Sequence, residues 1–347
     1  RLKPNYHHPD RDLRASFFKK NKNESQFEKL LDLLIPINIP TSYIEGFKEV
    51  KEATKKIFPR KVSLIITSNA YFSNEHFKLW VADQKLDNSK LWVLVHGGHH
   101  GTALFNGPGK LTEDLADRFY CWGWGKYNLP SVKLSILRQR KISQSGEKIL
   151  FIPYDISKYS NHIDSSPIAS SFNDCLNMHS SFFNKLKTHN LDSEILIRLK
   201  SGMVHRNLER EYNRMCGTKD FVYSNEESLI DSISRSELVV VTYDSTVFLE
   251  ALTLNVPTCL FIRKNFWEMS NLSAQFFEHF LDCGILHYDE DSLVSHILNV
   301  KGDYYDWWYS DLVQIAVNSF LKKFGSSSDH WQKGWYDEIN NALNGND

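Results

Sequence analysis

The chain has 347 residues, 41% of them hydrophobic and 24% charged, an ordinary globular composition too long for one core, so two domains are expected. Its 41 Lys and Arg stand against 42 Asp and Glu, and this balance lacks the basic surface of a general nucleic-acid binder. No window approaches the ~18 apolar residues of a membrane span. The five cysteines are scattered, none in CxxC spacing, which predicts a reduced, cytoplasmic chain with neither disulfides nor a zinc site. No signal peptide is visible, and the start on Arg1 rather than Met is expected of a piece of a longer protein.

After a polar, basic stretch to about Asn23, apolar periodicity predicts helices at Glu24–Leu34 and Ser42–Ile57, then a strand at Val62–Thr67. A helix at Asn74–Gln84 leads to the apolar strand Leu91–Val95. That strand feeds the run His96-Gly97-Gly98-His99-His100-Gly101. A short helix at Leu111–Asp117, with Thr112 as its cap, precedes the extended stretch Phe119–Trp122. The weaker region Lys126–Glu147 carries the expected domain boundary, giving domains 1–145 and 146–347.

The second domain restarts with the buried strand Lys148–Pro153. Helices near Ser170–His189, Arg206–Cys216, Glu227–Ser234 and Thr246–Leu254 then alternate with strands at Glu194–Leu199, Asp220–Tyr223, Glu237–Thr242 and Thr258–Ile262. Strands alternating with helices imply parallel βαβ units. From about Asn265 the chain is helical and rich in Trp. The expected class is α/β: two Rossmann-like domains facing a cleft, closed by C-terminal helices, the layout known as GT-B.

Four constellations carry candidate chemistry. The His/Gly turn places imidazoles at the carboxyl edge of a sheet, where open α/β sheets bind ligands, and its glycines admit positive φ and close approach. Gly97, Gly98, His99 and His100 are expected acceptor contacts, and His96 a catalytic group. In the second half an apolar strand runs into Asp244-Ser245-Thr246 at a helix start, whose free N–H groups suit a phosphate. Glu250, one turn further, is placed to meet a sugar or ribose hydroxyl. Arg198 and Lys200 at the end of another strand, with His205 in the next loop, are cations suited to a phosphate or sugar carboxylate. Asp155, at the end of the second domain's first strand, is a candidate nucleophile or base, and Glu113 a candidate acid/base. For each, a plainer reading as turn, cap or surface pair stands beside the chemical one. His7-His8 and Asp289-Glu290-Asp291 lack metal-ligand spacing, and no DxD-type triplet sits on a strand end in the first half, so no metal or cofactor is expected.

His96 to Thr102, Asp117-Arg118-Phe119-Tyr120-Cys121-Trp122-Gly123-Trp124-Gly125 and Ser245 to Leu252, in this order, resemble bacterial surface-polysaccharide transferases that include retaining β-Kdo glycosyltransferases of O-antigen synthesis. The resemblance implies a GT-B fold and a nucleotide-sugar donor, CMP-Kdo. It also implies a saccharide or lipid-linked saccharide acceptor and a double displacement through a carboxylate adduct. Asp155 is the expected adduct-forming residue by position. Peripheral contact with the cytoplasmic face of the inner membrane is part of this expectation. The rival readings are a CDP-polyol phosphate transferase and a non-catalytic polysaccharide-binding module.

Overall fold

The computed structural model describes residues 7–17, 25–140, 146, 148–155, 166–167, 171–199, 208–216, 221–223 and 225–345. Its strands are β1 (Leu64–Thr67), β2 (Lys90–Leu94), β3 (Arg118–Cys121), β4 (Tyr127–Asn128), β5 (Lys148–Ile152), β6 (Ile195–Leu199), β7 (Phe221–Tyr223), β8 (Ser236–Val241), β9 (Thr258–Phe261) and β10 (Leu286–His287). The chain divides into two compact units, Arg1–Trp92 and Val93–Asp347.

In the first unit, Ser25 and Glu28 form a capping box that starts the helix Gln26–Asn38. The helix expected over 42–57 is two elements, a 3-10 turn at Thr41–Tyr43 and a helix at Phe47–Ile57. Gly46 lies between them, in keeping with the low helix propensity of glycine. Arg14 holds these pieces together. Its guanidinium donates to both carboxylate oxygens of Glu45 (2.7 and 3.0 Å) and to the Pro36 carbonyl (2.8 Å).

In the second unit β3 and β4 pair in parallel, Tyr120 opposite Tyr127. The larger sheet has the order β10-β9-β8-β5-β6-β7, with every pairing parallel. This is the Rossmann order, and it reverses between β5 and β8. Both faces are covered, which is why these strands read as unbroken apolar runs rather than alternating ones. Ile149 and Phe151 pack on one face with Phe172, Phe182 and Phe183. Leu150 and Ile152 pack on the other with Phe248, Phe280, Phe320 and Phe324.

The break between compact units falls upstream of residue 145. Residues 93–140 pack onto the C-terminal body, where Ser131 N–H donates to the Ser326 carbonyl (2.8 Å) and Trp124 lies 6.3 Å from Phe324 between ring centroids. Two local expectations are corrected. The helix after the His/Gly turn is Gly107–Leu115, capped by Asn106 rather than Thr112, which is buried. The glycines of the turn do not adopt positive φ; Gly98 has φ −65°, and His99–Thr102 forms a single helical turn.

Candidate active site at the sheet's switch point

The carboxyl ends of β5 and β8 flank the point where strand order reverses, the place where doubly wound sheets bind ligands. Pro153-Tyr154-Asp155 follows β5, and Thr242-Tyr243-Asp244-Ser245 follows β8. The two ends are tied together: Tyr154 N–H donates to Thr242 Oγ1 (2.6 Å), and Thr242 N–H to the Ile152 carbonyl (3.1 Å). Above them the Tyr154 ring lies 5.7 Å from Tyr243 and 5.4 Å from Trp267.

Asp244 is 2% exposed, and a buried carboxylate needs partners. They come from the His/Gly turn. Thr102 donates its hydroxyl to Asp244 Oδ2, and His99 Nδ1 lies 3.5 Å from the same oxygen. The His99 ring stands edge-on to Trp267 at 5.4 Å, and its Nε2 is shielded with no protein partner. The turn is pinned from below as well. Thr102 also offers its carbonyl to Ser270 N–H and to the Ser273 hydroxyl, both at 2.7 Å.

The glycines explain this closeness. A Cβ on Gly98 would lie 2.6 Å from Leu249 Cδ1, and one on Gly101 would lie 2.6 Å from the Trp124 ring. Their role here is backbone approach to the next helix and to an indole. Gly98 N–H donates to Thr246 Oγ1 (3.3 Å), and Ser245 caps the helix Thr246–Thr253 by accepting from Val247 N–H. The two sequence motifs are therefore in direct contact, and Asp244, Ser245 and Thr246 sit together at that helix start.

Other expected residues are placed differently. Glu250 is 1% exposed and pairs with Lys133; burial holds its carboxyl above the usual range, and Lys133 opposes the shift. Arg198, 7% exposed, donates to Ser232 Oγ (2.7 Å) and to the Glu227 carbonyl (2.8 Å), and burial pushes its guanidinium pKa down. His96 and Glu113 are exposed, Gly97 and His100 are half-buried, and Asp155 is half-buried beside the switch point. Lys200 and His205 lie outside the described residues.

Sequence reasoning passed over Thr102, Tyr154, Tyr243 and Trp267. Tyr243 lies in this group: burial pushes its phenol up to about 12, opposed by a hydrogen bond that the Ser245 hydroxyl donates to it, within reach of the charges of Glu250, Arg198 and Asp155. Its place inside the Val239–Leu252 motif was the available signal.

This is an α/β protein of the GT-B kind, with a Ser245-capped helix start at a Rossmann switch point. The chain belongs to the LIC12162 family of transferases, which it matches over residues 1–339. No curated protein matches it. Among solved structures, S. aureus MnaA in complex with UDP is similar at 8% identity and a TM-score of 0.52, covering 97% of this chain and 87% of that one. The E. coli trehalose-6-phosphate protein with bound UDP-2-fluoro glucose is similar at 11% identity and 0.46, covering 84% and 77%. A putative UDP-N-acetylglucosamine 2-epimerase of Listeria monocytogenes is similar at 12% identity and 0.45, covering 79% and 76%.

Proposed function

We propose that the chain is a glycosyltransferase that moves a sugar from a nucleotide-sugar donor to a saccharide acceptor. The observation that carries this reading is the junction of the His/Gly turn with the Asp244–Thr246 helix start, in a transferase family. The likeness of fold to a protein that holds UDP agrees with a nucleotide at this edge.

In this reading the donor phosphates meet the Ser245 and Thr246 hydroxyls and the free N–H groups of the helix start. Asp244 fixes His99 with its Nδ1 proton toward the carboxylate. The turn so held presents His96, exposed at its start, to take the proton of the attacking acceptor hydroxyl. Asp155, on the β5 side of the switch point, is assigned as the carboxylate that forms the sugar adduct of a double displacement. His96 and Glu113, both exposed, are assigned to the acceptor side with Gly97 and His100. The resemblance of the motifs to β-Kdo transferases selects CMP-Kdo as the donor to try first.

Thermal-shift comparison of CMP-Kdo, CDP-glycerol and UDP-sugars tests the donor, since a bound ligand raises apparent stability. CMP-Kdo is expected to give the largest shift and, with a saccharide acceptor, turnover without added metal. No shift and no turnover with any nucleotide sugar would sink the reading. A shift with CDP-glycerol alone would replace it with polyol-phosphate transfer.

A lipid-linked acceptor fits a further feature of the first unit. The helix Gln26–Asn38 buries none of its residues and exposes Phe27 (67%), Leu33 (64%) and Ile37 (76%). Residues 1–61 hold 14 Lys and Arg against 8 Asp and Glu, a net +6 within a chain of net −1. An apolar helix face in a basic segment suits an anionic bilayer surface. No helix among the described residues is long and apolar enough to cross a membrane. Co-sedimentation with anionic vesicles, absent for zwitterionic ones and lost in Leu33→Glu, is the expected result.

A further inference from the structure

A second group of reactive side chains lies away from the switch point, on three elements at the β10 edge of the large sheet. Cys259 is in β9, His287 in β10, and His296 on the helix Glu290–Val300. One ligand-type atom from each lies within 4.8 Å of the other two. Cys259 is 0% exposed and His287 3%. The three are far enough apart in sequence that no spacing motif announces them.

The hydrogen bonds of His287 set its tautomer. Nε2 lies 2.9 Å from the Gly284 carbonyl, which can only accept, so Nε2 carries the proton. The lone pair is then on Nδ1, 2.8 Å from Ser292 Oγ, one helical turn before His296. Metal-ligating histidines anchor their other N–H to a carbonyl or carboxylate in this way. Cys259 Sγ faces the same Gly284 carbonyl at 3.8 Å. Gly284 has φ +78°, and a Cβ there would lie 2.6 Å from His296 Cε1, so glycine is what lets the imidazole come this close. The Trp307 ring closes over His296 at 4.5 Å, fixed by its indole N–H on the Cys283 carbonyl (2.9 Å).

Ordinary core packing accounts for His287, whose two nitrogens are both bonded. It does not account for His296, whose Nε2 is sealed from solvent with no hydrogen-bond partner. A buried polar atom left without a partner calls for an explanation, and an absent ion is one.

We propose that Cys259 Sγ, His287 Nδ1 and His296 Nε2 form a structural site for one zinc ion. One thiolate and two neutral imidazoles are a donor set that zinc favours. Tetrahedral bonds to sulfur and nitrogen put ligand atoms roughly 3.5 Å apart, so a trio already within 4.8 Å needs only a small adjustment to bind. Binding forms three metal–ligand bonds and breaks the S–H bond of Cys259, whose proton leaves to solvent. The Ser292 hydroxyl turns away from His287 Nδ1, and either it or a water takes the fourth position. The ion ties β10, which pairs with β9 through only two residues, and its following helix to the centre of the sheet.

The test is metal loading of the full chain, stripped with chelator and then exposed to zinc or cobalt(II) alone. We expect about one zinc per chain to survive gel filtration, and a thermal midpoint higher than that of the stripped protein. Cobalt(II) should give a thiolate-to-metal charge-transfer band. Cys259→Ser should abolish that band, His296→Ala should lower zinc retention at least about tenfold, and Cys283→Ser should leave both unchanged. Zinc below about 0.1 per chain, or no cobalt–thiolate band in the wild-type protein, overturns the site. Zinc held equally by Cys259→Ser and His296→Ala also overturns it, as adventitious binding. If either variant fails to fold by circular dichroism, the wild-type cobalt spectrum decides alone. None of these readouts involves glycosyl transfer, so the site and the proposed activity fail separately.

Discussion

The carboxyl ends of β6 and β8 look alike in sequence, but their buried charges are satisfied in different ways. Each is an apolar strand leading to a charged residue that the fold buries, Arg198 at 7% exposure and Asp244 at 2%. Arg198 is satisfied by Ser232 and the Glu227 carbonyl, groups in the crossover between β7 and β8 of its own sheet. Asp244 takes its partners from Thr102 and His99, more than a hundred positions away in another motif. Burial of a charge does not by itself mark a site. In the proposed reading the guanidinium, closed off by a neighbouring crossover, acts as a strut, and the carboxylate, met by a hydroxyl and an imidazole, serves the site.

The strongest way to break this contrast is Asp244→Asn, which keeps the shape and removes the charge. Transfer activity is expected to fall by about 10²–10⁴-fold with the thermal midpoint little changed, because the turn that presents His96 loses the charge that holds His99. Steady-state kinetics with the donor found by thermal shift is the measurement. Activity within a few-fold of wild type would make Asp244 a structural residue like Arg198. Next comes Gly101→Ala, whose Cβ would press into the Trp124 ring. Overpacking of this kind costs about 1–3 kcal/mol, and it should lower activity as well by moving His99 and Thr102 off Asp244. Urea denaturation and the same kinetic assay read both effects.

On the strut side, Arg198→Met leaves the Ser232 hydroxyl and the Glu227 carbonyl without their donor. The cost is about 1–3 kcal/mol in unfolding free energy. What sharpens the comparison is the split: Asp244→Asn should move turnover more than the denaturation midpoint, and Arg198→Met the midpoint more than turnover. The reverse pattern would return Arg198 to donor binding.

Much of this was readable in advance, for physical reasons. Central strands such as Leu238–Val241 are buried on both faces and so announce themselves as apolar runs, and the β8 turn is marked by an N-cap residue, Ser245, at the start of an apolar helix. The alternation of these elements was enough for the α/β class. Partners, however, depend on tertiary contact, which no local pattern encodes. Thr102 looked like the tail of a glycine turn and became the donor to Asp244. Glu250 looked like a sugar contact from its helical phase, but that phase brings it to Lys133. The glycines were expected to let a ligand approach the backbone, and in the fold it is Leu249 and Trp124 that crowd Gly98 and Gly101. The capping expectation at Thr112 failed because Asn106, nearer the first turn, already supplies the acceptor for Gly109 N–H (2.8 Å).

A last test sets two histidines of the second unit against each other. His179 is 1% exposed, packed on Phe151 under β5, with Nδ1 2.8 Å from the Tyr212 hydroxyl. Burial, helped by the charge of Arg263, pushes its pKa from 6.5 down to about 3. The folded form therefore binds its proton less readily than the unfolded chain does. Its contribution to stability is fully present above pH 6.5 and is lost as pH falls from there toward 3. Over the single unit from pH 6.5 to 5.5 the loss is about 1 kcal/mol, and His179→Phe should flatten that slope. His99 stands at the switch point against Asp244, and His99→Gln should instead show itself in lowered turnover. Denaturant midpoints of the wild type and His179→Phe across this range decide the matter. An unchanged slope in His179→Phe would mean that the acid sensitivity of the large sheet arises elsewhere than in this buried imidazole.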